Sequence, residues 1–580
     1  MRGLWTSWSW AEVESETIEI QSILAHAGIQ PGMKVALSGE AEPRLYWYIF
    51  AIQRLGAVPI LLNSRMSERE FAELYPKAEF AVLIAGSEAQ VEAATRARNA
   101  CSKLRMIISL DRGPAISDSN GFVVREASLV RLGSNRSAPP EITPQDRRAL
   151  IISTYDERGQ AVLVAWSHSS VAAAADEFIA LADIHPSDEF VSFLPISWSG
   201  EFIQFIAALF SAAVLSAVEN SSTVFQDLQQ LAPSVTVAPV SFYRKLLAKI
   251  ESDVWHSSRL VSRLYQWSNA PASSERAGPN EPSASRLFDR ICQWALNGVF
   301  RAPLRNVIGF SRVRLAFCAE AILPPELRRR LNSLDIDVRP LRFDLRFGGV
   351  LSCVAPASAG RAPAVIRAAG IELRNGPAGE ALCRTEAAAL GITENGGQII
   401  PIRSRLDGWY HTFPFEEIDQ NGDLTSAEDI DLGELHPSVA SSLRAHVARL
   451  NSSLLIKHSI LRHDGGGGWV AVINPDLDGI RAISEDPGVG YREIIEQKVV
   501  IDALAEVVVQ SNSHDRRASQ SPAIISSFAC FAQPLSAEDG SLTRDGRLRH
   551  HHTRNIVPIE SLQGRMQTIS IAQLHEVAAV

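Results

Sequence analysis

The sequence predicts a multi-domain α/β protein in which a large α/β domain is followed by a smaller α+β unit. Over the first 250 residues, short apolar runs alternate with amphipathic stretches, a pattern typical of parallel strands joined by helices. Of the 580 residues, 46% are hydrophobic and 21% are charged, which is the composition of an average globular protein. Because one hydrophobic core rarely serves more than about 250–300 residues, we expect two or three compact units.

The first elements alternate as strand, helix, strand, helix and strand. Gly56 follows the first helical pattern, and glycine is typical at this place because it ends a helix without backbone strain. The order therefore predicts parallel βαβ units. The predicted elements are a strand at 34–37, a helix at 43–55, a strand at 57–62, a helix at 67–75 and a strand at 81–85.

A β-hairpin is predicted after these units. Apolar runs at 149–153 and 161–165 flank a polar segment, Thr154 to Gln160. Ser167 follows, and because serine is a preferred helix N-cap, it predicts a helix over 170–182. The chain then continues as a strand into a loop at 190–195, and it resumes the strand–helix–strand order at 307–338.

A change of composition marks the expected domain boundary. The segment 423–437 is acidic, polar and turn-rich. We therefore expect an N-terminal domain over 1–430 and a small C-terminal α+β domain over 431–580. Within the first domain, 268–285 is rich in Ser, Ala, Pro, Asn and Glu, which predicts an exposed insertion.

Two segments of the C-terminal domain look like loops. Four glycines at 465–468 precede an apolar run, and they predict a hairpin tip rather than a phosphate loop because no helix follows them. The polar segment 511–522 predicts a second exposed loop.

Charge, cysteines and hydropathy exclude several classes of protein. The net charge is −9 and the isoelectric point is about 5.9, which argues against a nucleic-acid binder. Six scattered cysteines without CxxC spacing predict neither a disulfide framework nor a zinc site, and they favour a reducing compartment. Without a run of about 18–20 apolar residues or a secretory signal, we expect a cytoplasmic protein that has no transmembrane segment.

Several segments, in the same order and spacing, resemble the AMP-forming acyl-CoA synthetases, also called the adenylate-forming or AMP-binding family. The opening PGMKVALSGEAEPRLYWYIFAIQRLGAVPILLNSR (31–65) is similar to the start of that family, and DEFVSFLP (188–195) and APSVTVAPVSFYRK (232–245) resemble its long-chain fatty acyl-CoA ligases. Further landmarks are VRLAFCAEAILPPEL (313–327), GEALCR (379–384), DGWYHT (407–412) and SLTRDGRLR (541–549). The resemblance implies a large N-terminal domain of stacked sheets with helices and a small C-terminal domain. It also implies activation of a carboxylate by ATP, with Mg²⁺, and transfer of the acyl group to coenzyme A.

The nucleotide motifs of the family are altered in this chain. Against the phosphate loop YTSGTTGxPKGVxLSH, the chain reads STYDERGQAVLVAWSH (153–168). Thr154, Gly159 and His168 are retained as a remnant of the nucleotide site. Val162 stands at the position of the lysine, and acidic residues stand where small ones would approach the phosphates. An ordinary strand–turn–strand hairpin is the better interpretation.

The implied metal ligand and ribose clamp are altered as well. Where the family places a glutamate for Mg²⁺, this chain has Leu345 or Arg346, depending on a one-residue gap, and only the nearby Asp344 offers the oxygen ligands that Mg²⁺ requires. In the motif GWYHTGD, Tyr410 is retained but the aspartate that holds the ribose is replaced by Pro414. We therefore assign no metal site.

The catalytic lysine of the family falls on Arg547, within the basic segment 544–552. Arginine keeps the positive charge but presents it as a planar fork rather than as a compact ammonium. The basic segment itself fits a solvated turn, an anion or acidic-partner site, or, for its three histidines, metal capture.

Trp198 and Phe202 stand where the long-chain enzymes line their acyl tunnel, and they fit either a retained lipid pocket or core packing. The N-terminal Trp5, Trp8 and Trp10 either dock onto the protein itself or contact a partner. Peripheral contact with a membrane is compatible with the sequence.

Three functions are consistent with these observations. The first is an acyl-CoA synthetase-like protein that has lost ATP-dependent adenylation and binds an acyl chain, an acyl thioester or a protein partner. The second is an active long-chain fatty acid–CoA ligase with a divergent nucleotide site, and only this one requires ATP, Mg²⁺ and CoA. The third is a non-catalytic scaffold subunit.

Overall fold

The fold is taken from a computed structural model of the whole chain. The structure describes residues 5–110, 121–133, 148–155, 160–255, 257–269, 295–319, 323–354, 365–368, 370–375, 381–394, 398–402, 408–411, 417–418, 424–425, 443, 446–447, 449–463, 468–486, 488–517, 525–542, 548–549 and 567–568. It confirms the predicted mixed α/β class. No helix in these ranges is long and apolar enough to cross a membrane.

The first sheet has nine strands in the order β18-β17-β7-β6-β2-β1-β3-β4-β5. Its central strands are parallel and their side chains are buried on both faces, as their continuous apolar runs predict. Strands β6 and β7 form the predicted antiparallel hairpin. The strands are β1 (Lys34–Ser38), β2 (Val58–Leu62), β3 (Val82–Ala85), β4 (Met106–Ser109), β5 (Val123–Arg125), β6 (Arg148–Tyr155), β7 (Ala161–Ser167), β17 (Gly391–Glu394) and β18 (Gln398–Ile400).

The second sheet has seven strands in the order β14-β13-β12-β11-β10-β8-β9, and β13 and β14 are its antiparallel members. The predicted strand–helix–strand order at 307–338 is confirmed by β11 and β12 and the helix between them. The strands are β8 (Glu189–Ser192), β9 (Val214–Ala217), β10 (Val235–Ala238), β11 (Leu315–Ala319), β12 (Val338–Asp344), β13 (Gly349–Val354) and β14 (Val365–Arg367).

Helices separate and cover the two sheets. Gly56 ends α2 with a φ of +68°, as predicted. Ser167 accepts a hydrogen bond from the Ser170 amide and caps α6. The helices of this part are α1 (Trp10–His26), α2 (Pro43–Arg54), α3 (Glu68–Ala78), α4 (Glu88–Arg96), α5 (Glu126–Gly133), α6 (His168–Ala182), α7 (Ser199–Ser211), α8 (Val224–Leu231), α9 (Val240–Trp255), α10 (Arg259–Asn269), α11 (Ala302–Val307) and α12 (Pro325–Ser333), with short 3-10 turns at Ala97–Ala100 and Leu345–Phe347 and a π-helical turn at Asn297–Arg301.

Three hydrophobic clusters give this part a layered arrangement. The central cluster contains α2, α6 and α7 together with one face of each sheet. A second cluster packs α3 and α4 on the outer face of the first sheet, and a third packs α8, α9 and α12 on the outer face of the second. The predicted insertion at 268–285 lies almost wholly outside the described residues, but its first residue, Ser268, is buried in α10.

Two small sheets follow. One contains β15 (Glu372–Asn375), β16 (Ala381–Arg384) and β19 (Tyr410–His411), and the other pairs β20 (Glu417–Ile418) with β21 (Leu424–Thr425). The change of composition at 423–437 falls almost entirely outside the described residues, so the boundary at 430 stays a prediction.

The described residues from 443 to 568, here called the C-terminal unit, form a four-stranded sheet flanked by helices, which agrees with the predicted α+β character. Its strands are β22 (Ile456–His463), β23 (Trp469–Pro475), β24 (Ile525–Cys530) and β25 (Gln567–Thr568), and its helices are α13 (Leu477–Ile483), α14 (Tyr491–Ile495) and α15 (Lys498–Arg517).

In the C-terminal unit, the hairpin predicted around the glycine segment is present, and the loop predicted at 511–522 is partly wrong. Strands β22 and β23 form an antiparallel hairpin around the glycine segment, of which residues 464–467 lie outside the described residues. The loop predicted at 511–522 is wrong at its start, because α15 continues to Arg517. Ser511 and Asn512 are buried, since their polar groups are satisfied by residues distant in sequence.

Candidate functional site

The hairpin of β6 and β7 stands at the position of the phosphate loop. Thr154 pairs with Val162, and Tyr155 pairs with Ala161. Thr154 and Val162 are half-buried, so the lysine position carries an apolar side chain next to the retained threonine. Gly159 lies outside the described residues.

A cation from another element contacts this hairpin. The Nζ of Lys77, on α3, donates to the carbonyl oxygen of Ala161 at 2.6 Å. Its charge therefore lies one residue from Val162, but it is bound to a backbone carbonyl. The sequence reasoning missed this lysine because α3 and the hairpin are 84 residues apart.

His168 and its neighbour Ser167 begin α6 after the hairpin. Ser167 is the N-cap, and His168 is the first helical residue and is exposed. This placement agrees with a structural role for the pair in closing the turn.

At the end of β12, Asp344 is held by Arg346. The Asp344 carboxylate is 5% exposed and accepts hydrogen bonds from the backbone N, Nε and Nη2 of Arg346 at 2.9, 3.1 and 2.7 Å. Leu345, the other candidate at the glutamate position, is buried. The positive charge that the carboxylate needs is thus supplied within the chain, two residues away.

Tyr410 lies close to this turn. It lies on β19, which pairs with β16, and its ring centroid is 5.7 Å from that of Phe347. The preceding Trp409 is buried under the guanidinium groups of Arg374 and Arg384, at 4.0 and 5.0 Å from its ring. Pro414 lies outside the described residues.

Backbone hydrogen bonds connect the turn to the hairpin. The Ala389 amide donates to the carbonyl of Arg346 at 2.9 Å, and the next amide, of Leu390, donates to the carbonyl of Ala165 at 2.8 Å. Residues 389 and 390 therefore join the turn at 345–347 to β7 of the hairpin, and Tyr410 contacts the same turn through Phe347.

Phe202 lies in the central hydrophobic cluster, and Trp198 packs against that cluster. Phe202 is 1% exposed and packs edge-on against Trp166 at 5.3 Å. The half-buried ring of Trp198 lies against Gly200, where a Cβ would be only 2.1 Å from it. This packing favours the core interpretation of both residues.

A buried carboxyl group between these two aromatic residues was missed by the sequence reasoning. Glu201 is fully buried and accepts hydrogen bonds from Tyr46, at 2.8 Å, from the Ser192 hydroxyl and from the Leu194 amide. Burial raises the pKa of Glu201 to about 7, because no cation offsets the loss of solvation. The signal was present in the sequence as a lone glutamate in the apolar run WSGEFIQFIAALF.

Glu177 is a second buried carboxyl group, on α6. Its Oε1 accepts from the Thr385 hydroxyl at 3.3 Å, and its Oε2 has no partner among the described residues. Burial, with Glu386 nearby, raises the pKa of Glu177 to about 7. Two carboxyl groups of the central layer are therefore much weaker acids than ordinary glutamates and titrate near neutral pH.

Arg547 and the three histidines after Arg549 lie outside the described residues. Arg549 itself contacts the N-terminal part, where its Nη2 donates to Oε1 of Glu70 at 3.1 Å and its guanidinium lies 5.9 Å from the ring of Tyr155. A basic side chain of the 544–552 segment is therefore next to the hairpin. No group of three or more His, Cys, Asp or Glu side chains in the described ranges is arranged to hold a metal ion.

The N-terminal tryptophans are partly docked onto the protein. Trp8 packs edge-on against Trp47 at 5.2 Å, and the indole N–H of Trp5 donates to Gln230 at 2.9 Å. Each of the three remains more than 40% exposed, and contact with a partner stays a prediction.

Comparisons with known proteins agree with this architecture. The family model described as AMP-binding enzyme matches residues 1–340. No curated protein sequence matches the chain significantly.

Several solved structures are similar in fold. The adenylation domain of a carboxylate reductase from Mycobacterium chelonae has a TM-score of 0.67 at 15% identity, covering 96% of this chain and 85% of that one. An anthranilate CoA ligase in complex with anthranoyl-AMP has a TM-score of 0.65 at 15% identity, covering 95% and 92%. The adenylation domain of a carboxylic acid reductase from Segniliparus rugosus, in complex with AMP and a co-purified carboxylic acid, has a TM-score of 0.66 at 16% identity, covering 96% and 87%.

Proposed function

Since the chain belongs to the AMP-binding enzyme family, we propose that it is an acyl-CoA synthetase-like protein that has lost ATP-dependent adenylation. It acts in lipid or secondary metabolism by binding an acyl chain, an acyl thioester or a protein partner. Because a fold does not fix an activity, the proposal depends on the residues at the nucleotide positions.

The ion pair of Asp344 and Arg346 is the observation that carries the proposal. A hard cation such as Mg²⁺ requires free oxygen ligands. Here both carboxylate oxygens already accept hydrogen bonds from N–H groups of Arg346. A metal ion at this position would have to displace a guanidinium and would then lie next to its positive charge.

The hairpin supports the same conclusion. Val162 replaces the lysine that the family resemblance places there. The ammonium group of Lys77 donates to the backbone carbonyl of Ala161. Without a charged loop and a metal ligand, little remains that stabilises the negative charge of a triphosphate.

The proposal does not restrict the acyl ligand to long-chain fatty acids. Phe202 is buried in the central cluster and Trp198 packs against it, so neither side chain selects an acyl chain. The proposal therefore names no chain length.

The alternative, an active ligase with a divergent site, is favoured by one observation. Lys77 and Arg549 both lie at the turn end of the hairpin, beside Ala161 and Tyr155, so positive charge is still present near the phosphate position.

Pyrophosphate release separates these functions. The full chain is incubated with ATP, Mg²⁺, CoA and a panel of aromatic acids and of fatty acids from about C8 to C18. We expect turnover below about 0.1 per second, a decade below the usual range of enzyme rates, and no calorimetric heat with ATP and Mg²⁺. Faster turnover with any acid would refute the loss of adenylation.

The same preparation tests acyl binding by thermal shift. A ligand that binds the native state raises the unfolding midpoint, so an acyl-CoA or a free acid that raises it without ATP supports the proposal. If acids and thioesters all leave the midpoint unchanged, the scaffold function is favoured.

A further inference from the structure

Helix α10 is held on the outer face of the second sheet by one side of its surface. The side chains of Val261, Leu264 and Tyr265 pack against the outer hydrophobic cluster of that sheet. The Tyr265 hydroxyl donates to Glu251 of α9 at 2.6 Å, and the hydroxyl of the buried Ser268 donates to a backbone carbonyl of α12. The helix is therefore a fixed support whose apolar stripe is already used within the protein.

The opposite side of α10 presents two apolar side chains to solvent. Leu260 is 65% exposed and Trp267 is 49% exposed. Seven residues separate them, which is two helical turns or about 10.5 Å along the axis, so they lie nearly in line. Arg263 is exposed and lies between them on the same side of the helix. These three residues and the exposed Arg259, at the start of α10, are here called the outer face of α10.

The two arginines of the outer face are not paired within the described part of the chain. No hydrogen bond or ion pair joins the side chain of Arg259 or Arg263 to another described residue. By contrast, the exposed Arg329 on the neighbouring α12 pairs with Glu326 at 2.7 Å. A cation in the first turn of a helix opposes the helix dipole, so the stability of α10 does not account for Arg259.

These arginines belong to a basic part of an acidic chain. Residues 240–340, which supply α9 to α12, contain sixteen Lys and Arg but nine Asp and Glu, a net charge of +7. The whole chain has a net charge of −9, so the other residues together carry −16. A positive surface on an otherwise negative protein attracts an acidic partner to this side of the molecule and away from the others.

A lipid surface fits the outer face of α10 less well than a protein does. A helix that lies on a membrane presents a continuous apolar stripe, but the stripe of α10 faces inward and an arginine separates the two apolar side chains outside. The net charge of −16 outside 240–340 is also repelled by an anionic bilayer. Two apolar side chains in one row match instead the groove of a second helix, and Trp and Arg are enriched among the residues that dominate protein interfaces.

We propose that the outer face of α10 binds an acidic amphipathic helix of another protein. Leu260 and Trp267 pack between the apolar side chains of that helix, and Arg259 and Arg263 pair with its carboxylates. This surface gives the protein partner in the proposed function a chemical class, and in that respect it rests on the proposed function.

Fluorescence anisotropy with two synthetic peptides tests the proposal on the full chain. Both peptides have three heptads with leucine at a and d, and the e and g positions are glutamate in the acidic peptide and lysine in the basic one, so that like charges oppose self-pairing. We expect the wild type to bind the acidic peptide at least about tenfold more tightly, because close charge pairs across an interface couple strongly.

The double variant Arg259→Glu, Arg263→Glu should reverse this preference and bind the basic peptide more tightly. Such a gain of binding does not arise from misfolding. The matched control is Arg69→Glu, Arg96→Glu, which reverses the same number of charges at two exposed ion pairs on α3 and α4 and should keep the wild-type preference.

The apolar contribution is tested by Trp267→Ser, which should weaken binding of the acidic peptide about tenfold, as expected for a residue that dominates an interface. Phe210→Ser is the matched control, because Phe210 lies on α7 and is 47% exposed, and it should leave binding unchanged.

An equal affinity of the wild type for both peptides, or a preference that survives reversal of the two arginines, would overturn the proposal. Sedimentation with vesicles of phosphatidylcholine and about 30% phosphatidylserine, lost in Arg259→Glu, Arg263→Glu and without peptide preference, would assign the face to lipid instead. A wild-type dimer in light scattering that Trp267→Ser dissociates would assign it to a second copy of the chain.

These substitutions should leave pyrophosphate release and the thermal shifts with acyl ligands at their wild-type values. A failure of the docking surface is therefore distinguishable from a failure of the proposed function.

Discussion

The two ends of β8 carry buried carboxyl groups whose pKa values are shifted in opposite directions. At the amino end, Asp188 is 3% exposed and binds Arg314, Ser234 and the His185 amide. Burial alone would raise its pKa, but the hydrogen bonds from Arg314 and from that amide outweigh burial and lower the pKa of Asp188 to about 2.

At the carboxyl end of β8, Glu201 is bound by two hydroxyls and one amide, and its pKa is raised to about 7. The difference shows what a guanidinium does for a buried carboxylate. With Arg314 the carboxylate stays ionised, whereas without a cation the carboxyl group binds its proton more tightly and titrates near neutral pH. In parallel sheets, ligand sites lie at the carboxyl ends of strands, and this is the end that carries the weaker acid.

The largest expected effect is that of Asp188→Asn. The change leaves the guanidinium of Arg314 beside a neutral amide. Because Arg314 is 36% exposed, we expect a cost near the lower end of the about 3–5 kcal/mol typical of breaking a buried pair. Urea denaturation followed by fluorescence should show a midpoint well below that of the wild type. A loss under about 1 kcal/mol would mean that the pair does not stabilise this end of the strand.

The next prediction concerns Glu201 and pH. Its folded pKa is raised above the unfolded value of 4.5, so its contribution to stability is fully present below about pH 4.5 and is lost as pH rises through 7. A shift of this size corresponds to about 3 kcal/mol. We expect Glu201→Gln to flatten the decline in unfolding free energy between pH 5 and about pH 8.

Part of that decline should remain in the variant because Glu177 has a shift of the same sign, and Glu177→Gln should remove it. The pH dependence at Asp188 has the opposite sign. Its contribution is present above pH 3.8 and is lost as pH falls through 2. A Glu201→Gln profile parallel to that of the wild type would contradict the raised pKa.

The smallest effect is expected at Glu189, next to Asp188. Its carboxylate pairs with Arg312 at 3.0 Å, but the two side chains are 32% and 52% exposed. Exposed pairs of this kind contribute about 0–1 kcal/mol, so Glu189→Gln should shift the urea midpoint little. A cost comparable to that of Asp188→Asn would show that burial is not what separates the two neighbours.

Local patterns predicted the parallel strands, the hairpin and the capped helix α6. These features depend on contacts between immediate neighbours in the sequence, so the sequence alone predicts them. They are the apolar runs at 34–37 and 57–62, the glycine at 56 and the serine at 167. The family model and the solved structures agree with the fold class that these patterns predicted.

Features that depend on distant partners were not predictable in this way. Asn512 looked like a loop residue, but its side chain bonds both backbone groups of Ile525, at 3.1 and 2.9 Å. The Ser511 hydroxyl bonds the ring of His446 at 2.8 Å. Ser511 and Asn512 can be buried in a helix because residues distant in sequence satisfy their polar groups.

At the candidate site, the sequence predicted which motif positions are altered but not what the replacements contact. The bond between Asp344 and Arg346 spans only two residues, yet it forms only because β12 turns directly into a 3-10 helix there. The contacts of Lys77 and Arg549 with the hairpin depend on the packing of whole elements.

The central hydrophobic cluster is shared by both large sheets through α2, α6 and α7. The inner faces of the two sheets therefore share one hydrophobic interior, although each outer face has a cluster of its own. A fragment that stops before β10 would contain α2, α6 and α7 but lack most of the second sheet. The apolar faces of these helices would be exposed, and we expect the fragment to aggregate or to bind chaperones. We therefore expect the two sheets to unfold in one cooperative transition, although their strands are far apart in the sequence.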